Sequence, residues 1–240
     1  MHSACISNSD SNKEVDVGDS FVIKAQNISK RVALADDTLE ILSGIDLEIK
    51  QGDSLAIVGK SGSGKTTLLG LLAGLDTASD GAIYILDRDL SNMGEEERAA
   101  LRAKHVGFIF QSFQLLSSLT ALENVMLPLE LRGDENARQE AEQFLQRVGL
   151  EDRIGHFPHQ LSGGEQQRVA IARAFACKPS ILFADEPTGN LDTITGQNII
   201  ELLFELNQSE GTTLIMVTHD ESLAERCHST LRLESGRVLL

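Results

Sequence analysis

Ser54-Leu55-Ala56-Ile57-Val58-Gly59-Lys60-Ser61-Gly62-Ser63-Gly64-Lys65-Thr66-Thr67-Leu68-Leu69 is the stretch that decides the fold. Its first five residues form the short apolar run of a strand buried on both faces, and Thr66 to Gly74 reads as a helix ended by glycine. Between them lies the pattern GxxxxGK[ST]. Its glycines let successive backbone N–H groups turn inward, while the following helix presents its positive end to phosphate oxygens. The spacing predicts a polyphosphate cradle made of Gly59, Lys60, Ser61, Gly62, Ser63, Gly64, Lys65 and Thr66. Lys65 is placed to set a point charge on the β- and γ-phosphates, and Thr66 to offer its hydroxyl to Mg2+.

Upstream of this loop, Phe21-Val22-Ile23 starts a strand and Ile45 to Lys50 alternates apolar and charged residues with period two. Downstream, Ala82 to Leu86 predicts a strand, Glu95 to Lys104 a charged helix, and Val106 to Phe110 a buried strand ending at Gln111. Strand signals then vanish, and helical stretches such as Glu135 to Val148 predict a mostly helical subdomain over 112–160. Ile181 to Ala184 and Thr213 to Thr218 resume the sheet on either side of a helix carrying Ile199, Leu202, Leu203 and Leu206 at helical spacing. Strand, helix, strand implies parallel pairing. Thr230 to Leu233, a Ser235-Gly236 turn and Val238 to Leu240 read as a closing hairpin. Residues 1–19, polar, acidic and without apolar periodicity, read as a disordered tail.

Composition narrows the classes of function. A formal net charge of -15 over 240 residues repels a polyanion, and 4% aromatics give little surface for base stacking, so no nucleic-acid partner is expected. Cys5, Cys177 and Cys227 are odd in number and widely spaced, which suits a reducing, cytoplasmic compartment. Met1-His2-Ser3-Ala4 offers no leader that would make Cys5 a lipidation site. No apolar run reaches the roughly 18 to 20 residues that span a bilayer, so no direct membrane insertion is expected.

Two further motifs carry chemistry. Ile181-Leu182-Phe183-Ala184 delivers Asp185 and Glu186 to the end of a buried strand, where desolvated carboxylates cost several kcal/mol unless a cation offsets them. Asp185 is the candidate Mg2+ ligand, directly or through water, and Glu186 the candidate general base toward an attacking water. Leu161-Ser162-Gly163-Gly164-Glu165-Gln166 runs into the helical Val169 to Ala174. A capping box accounts for Ser162 and Glu165 but not for two consecutive glycines, so a second anion-facing helix N-terminus is expected here. His156 and His159 lack the Cys or carboxylate neighbours of a metal site.

Leu161 to Gln166, following the glycine loop, closely resembles the signature of the ATP-binding cassette (ABC) ATPases, and the resemblance covers residues 20–240. It implies an α/β fold with a RecA-like P-loop NTPase core over about 20–111 and 161–240, an antiparallel β subdomain and a helical signature subdomain over about 112–160. It further implies a head-to-tail homodimer formed on ATP binding, in which Ser162 and Gly164 of one protomer, with Gly163 and Gln166 beside them, meet the triphosphate held by Gly59 to Thr67 of the other. Gln111 resembles the Q-loop glutamine, able to ligate Mg2+ and orient water. His219 resembles the switch histidine, and Asn190-Leu191-Asp192 the loop that crosses the dimer interface. Lys65, Gln111, Glu186 and His219 are thereby the implied catalytic set, with Thr66, Gln111 and Asp185 around Mg2+. Val32 stands where the family stacks adenine on an aromatic side chain, leaving an apolar contact from Val32 or a cation-π contact from Arg31.

Two kinds of ABC ATPase remain: a transport motor docked on a separate membrane subunit, and a soluble ATPase of DNA repair or translation. Roughly 95 residues separate Thr66 from Leu161, too few for an inserted coiled coil, and there is one cassette, which points to transport. Gly74-Leu75-Asp76, Gly107 to Gln111, Leu119 to Val125 and Asp185 to Asp192 resemble the lipoprotein-releasing and macrolide-exporting group, which also holds YbbA-type and cell-division members. The resemblance implies bacterial export or extraction through an integral membrane permease subunit, with this chain peripheral on the cytoplasmic face of the inner membrane. Phe113, Leu115, Leu116 and Leu119 are expected to line the groove that receives a helix of that subunit.

Overall fold

The computed structural model describes residues 21–33 and 37–239; the tail expected over 1–19 and the last residue of the expected hairpin lie outside the described residues. The chain opens with β1 (Phe21–Ala33), β2 (Thr38–Lys50), β3 (Ser54–Val58), α1 (Lys65–Leu72), β4 (Asp80–Ile85) and β5 (Arg88–Asp89). Helix α2 (Glu95–His105) then runs into β6 (Val106–Phe110), followed by α3 (Ala121–Leu131) and α4 (Ala137–Arg147). The remainder holds α5 (Gly163–Ala176), β7 (Ile181–Asp185), α6 (Thr193–Glu210), β8 (Thr213–Val217), α7 (Glu221–Ala224), β9 (Ser229–Glu234) and β10 (Arg237–Leu239).

Local chemistry explains the helix ends. Helix α2 carries Glu95, Glu96 and Glu97 in its first turn and Arg102, Lys104 and His105 in its last, opposing the helix dipole at both ends. Thr120 and Glu123 form a reciprocal capping box on α3. Asp192 caps α6 by accepting from Thr195 N, and Gly211, at φ 64°, closes it in the left-handed conformation.

Two sheets form among the described residues. An antiparallel sheet has the order β2-β1-β4-β5, and the second has the order β10-β9-β3-β8-β7-β6. Within the second, β9, β3, β8, β7 and β6 pair in parallel and only β10 is antiparallel. Period-two alternation divides the core across this sheet. Ile181 and Phe183 of β7 join α1 and the antiparallel sheet in one apolar cluster, while Leu182 and Ala184 join α3, α4, α5 and α6 in the other. Parallel pairing collects the C-terminal ends of β3, β8, β7 and β6 along one edge, the place where open α/β sheets hold ligands.

Candidate active site

The glycine loop leaves β3 at that edge. Gly59 has φ 155°, and a Cβ there would lie 2.2 Å from Leu233 O. Gly64 has φ 100°, and a Cβ there would lie 2.8 Å from Leu42 Cδ2. The loop is buttressed from the far end of the chain, where Gly236 N donates to Ser63 O at 3.1 Å. Lys65 is buried, its Nζ donating to Gly59 O at 2.9 Å and Lys60 O at 3.0 Å, so the loop wraps its own cation. Helix α1 begins with no side-chain cap and no acid in its first turn, leaving its N-terminal N–H groups and dipole free for an anion. Ser63 Oγ is buried without a partner among the described residues, and its hydroxyl adds a polar group to the cradle.

The neighbouring strand ends supply the acids. Burial pushes the Asp185 carboxyl above its ordinary value and the Glu186 charge adds to this, while a hydrogen bond with Thr66 and the Lys65 ammonium oppose it. This half-buried carboxylate with a hydroxyl near it beside the phosphate cradle fits Mg2+, which takes one or two protein oxygens together with substrate phosphate. Among the described residues no group of three or more His, Cys, Asp or Glu is placed to hold a metal ion. Glu186 is held at φ 46°, its N–H donating to Val217 O at 3.0 Å, and its Oε1 lies 3.5 Å from His219 Nδ1. The carboxylate and the imidazole thus sit together although 33 positions part them in the chain.

Gln111 follows β6 beside β7, where Phe110 is in register with Asp185. Its Nε2 donates to Asn190 Oδ1 at 3.2 Å and its carbonyl accepts from Asn190 Nδ2 at 2.9 Å. In this state the glutamine is joined to the Asn190 loop. Gly189 makes room for it, since a Cβ there would lie 2.6 Å from Gln111 Nε2.

The signature turn also has reasons within the single chain. Its capping box is complete: Ser162 N and Oγ each donate to Glu165 Oε2 at 2.8 Å, and Ser162 Oγ accepts from Glu165 N. These bonds, with Arg153 at 3.1 Å, hold the Glu165 carboxyl down at about 2. The glycines have a packing reason too. A Cβ on Gly164 would lie 2.5 Å from Thr195 Cγ2, and one on Gly163 would lie 3.3 Å from Leu191 Cδ2. Close approach of α6 and the Asn190 loop therefore accounts for glycine here without any anion. Gln166 Nε2 donates to Leu161 O at 3.1 Å, steadying the turn.

Other residues position the site without showing a sequence signal. Gln167, fully buried on α5, donates from Nε2 to Pro187 O at 2.6 Å and so ties the signature helix to the turn that carries Glu186. Buried Asn124 donates from Nδ2 to the carbonyls of Leu116, Leu119 and Thr120 and accepts from Leu116 N. At the expected adenine end, Arg31 is occupied by Asp80 at 2.6 Å and Glu40 at 3.3 Å, whereas Val32 is exposed. Val32 thus presents an apolar surface there, while Arg31 is held by two carboxylates. An apolar groove opens beside β6. It lies between α2, β6, α3 and α5 with Val106, Phe110, Leu116, Leu127 and Leu131 on its walls, so that of the four expected residues only Leu116 lines it. Leu115 instead packs into the core.

Residues 42–189 match the family described as ABC transporter. The chain belongs to the ABC transporter family. It is 55% identical over 219 residues to the uncharacterized ABC transporter ATP-binding protein YbbA of Escherichia coli K12, covering 90% of this chain and 96% of that protein. It is 49% identical over 220 residues to the lipoprotein-releasing system ATP-binding protein LolD of Psychrobacter arcticus, covering 90% of this chain and 97% of that protein. Among solved structures, the dimeric post-hydrolysis state of the ATP-binding cassette MJ0796 bound to ADP and Pi superposes with a TM-score of 0.83 at 39% identity, covering 91% of this chain and 97% of that one. The chain is thus an ABC transporter ATPase with the expected P-loop α/β fold, and the soluble repair or translation alternative falls away. Among the described residues no helix is long and apolar enough to cross a membrane.

Proposed function

We propose that this chain powers a bacterial export or extraction complex from the cytoplasmic face of the inner membrane, hydrolysing ATP at two sites each built from two copies of it. The observation that carries the reading is the convergence at one sheet edge of the Lys65 cradle, the Asp185 carboxylate beside Thr66 and the Glu186–His219 pair. In this reading the N-terminal N–H groups of α1 and the Lys65 ammonium bind the β- and γ-phosphates, with Gly59 to Thr67 around them. Thr66, Asp185 and Gln111 would hold Mg2+, which would neutralise charge on the phosphates. Glu186 takes the proton from the attacking water, and His219, within reach of the same carboxylate, orients water and phosphate.

Ser162, Gly163, Gly164 and Gln166 of a second copy close the γ-phosphate end. That the MJ0796 cassette is dimeric with ADP and Pi supports this arrangement. The apolar groove beside β6, where Leu131 is 80% exposed and Leu116 48% exposed, takes an apolar helix of an integral membrane permease subunit, which selects the cargo. The similarity to a lipoprotein-releasing ATP-binding protein supports extraction or export over uptake.

Glu186→Gln is expected to keep ATP binding, lower turnover by about 100-fold or more and trap an ATP-bound dimer. Unchanged steady-state hydrolysis would remove Glu186 as the base. For the transport part, affinity capture from detergent-solubilised membranes is expected to recover an integral membrane protein with this chain. Recovery of none would argue against a docked permease.

A further inference from the structure

Between Gln111 and the apolar groove the chain makes an unusual turn. Phe113 and Gln114 are consecutive non-glycine residues at φ 60° and 48°, and Gln114 N donates to Ser112 O at 2.6 Å, closing a γ-turn of the rare positive-φ kind. Such a conformation persists only where its surroundings over-determine it. Two contacts do so, and both come from α5. At the start of the helix the Phe113 ring reaches Gly163, with Cζ 3.8 Å from where a Cβ on that glycine would stand. Ten residues further along, Arg173 donates from Nη1 to Gln114 O at 2.6 Å and from Nη2 to Phe113 O at 3.0 Å. No carboxylate among the described residues pairs with Arg173, which is half-buried. A cation that gives up water for two main-chain carbonyls and no counter-charge fixes a geometry more than it contributes stability. The same Arg173, with Gln114 and Leu116, lies on the wall of the apolar groove.

We propose that Arg173 is the positioning residue that carries movement of the signature turn to the groove, by bolting the 113–114 turn to the rigid helix α5. The proposal rests on the reading that the signature turn engages ATP held by a second copy. Helix α5 spans about 16 Å from Ser162 to Arg173. A rotation or shift imposed on its N-terminus by nucleotide therefore reaches the groove wall through Arg173, independently of the Gln111 side chain. A lysine at this position keeps the charge but cannot bridge two carbonyls with one planar fork.

The test uses the full chain in the Glu186→Gln background, with and without MgATP, reading the dimer by analytical ultracentrifugation and amide hydrogen exchange over residues 112–116. In the parent, ATP is expected to form the dimer and to change exchange in this segment. In Arg173→Lys and Arg173→Ala the dimer is expected to form as before. The segment is then expected to exchange at least about ten-fold faster than in the parent, the equivalent of one charge-assisted hydrogen bond, and to respond no longer to ATP. Dimer formation in both variants shows that they are folded. An ATP response in this segment that persists in a dimerising Arg173→Lys or Arg173→Ala chain overturns the proposal, as does loss of the dimer in Arg173→Lys alone, which would place Arg173 upstream of assembly. Failure of the parent itself to dimerise would overturn the shared-site reading, and the proposal with it.

Discussion

Two helices in this molecule begin with glycine beside a serine, yet their N-termini are finished in opposite ways. Helix α1 starts at Gly64 in a left-handed conformation with no side-chain cap and no acid in its first turn, and a buried lysine stands over it. Helix α5 starts at Ser162 with a full capping box, and the Glu165 carboxylate occupies the N-terminal end that an anion would seek. The first end is unfinished without a polyanion; the second is complete in the single chain. In the proposed reading, a cassette with these two ends binds ATP through the first alone and engages the second only when another copy brings ATP up to it.

Substitutions that exchange or erase these finishes sharpen the contrast. Lys65→Ala removes the one buried ammonium of the cradle and is expected to weaken ATP binding by about 100-fold, whereas Ser162→Ala leaves single-chain affinity within about two-fold, both by calorimetric titration with Mg2+ present. Equal losses at both positions would erase the distinction. Gly64→Ala forces a Cβ to 2.8 Å from Leu42 Cδ2 and 3.1 Å from Ile41 O at φ 100°. It is expected to destabilise the fold by about 2 kcal/mol and to damage nucleotide binding. Gly164→Ala meets only the methyl of Thr195, with an expected loss of about 1 kcal/mol and single-chain ATP binding intact. Urea unfolding beside the titration separates the two.

Ser162→Ala is expected to lose about 1 kcal/mol of stability, the typical contribution of an N-cap, and unchanged stability would show that the capping box is idle. The smallest effect concerns pH. The Glu165 carboxyl is held at about 2 against an ordinary 4.5, chiefly by the Ser162 N–H and hydroxyl. A depressed carboxyl stabilises the fold fully above its ordinary value, and the contribution drains away as pH falls from 4.5 toward 2. Glu165→Gln should flatten that part of the acid limb of stability, measured by denaturant midpoints across the window; an unaltered limb would mean that Glu165 is not what the capping box holds.

The same contrast explains what the sequence disclosed. The α1 end was legible because its chemistry is local: strand, glycines, lysine and threonine follow one another, and no neighbour is needed to read them. Asp185 and Glu186 were legible for the same reason, as acids at the tip of a buried strand. The packing reason for the signature glycines is not legible in the sequence, because it lies in Thr195 and Leu191, residues brought up only by packing of α6 and the loop before it. The pairings of Gly236 with Ser63, Gln167 with Pro187 and Asn190 with Gln111 are equally non-local, and no spacing in the chain announces them. The walls of the groove beside β6 are not legible in the sequence, because a helical subdomain has many apolar positions, and only the fold shows that Leu115 packs against the core while Leu131 faces out.

The central claim is that each ATP site is shared between two chains, and a mixing experiment in the Glu186→Gln background tests it most directly. One chain carries Lys65→Ala, with an intact signature turn; the other carries Ser162→Arg, with an intact cradle. Analytical ultracentrifugation with MgATP is expected to show monomers for each alone and a heterodimer for the mixture, holding one trapped ATP per pair. A mixture that stays monomeric, or a Ser162→Arg chain that dimerises by itself, would contradict the account.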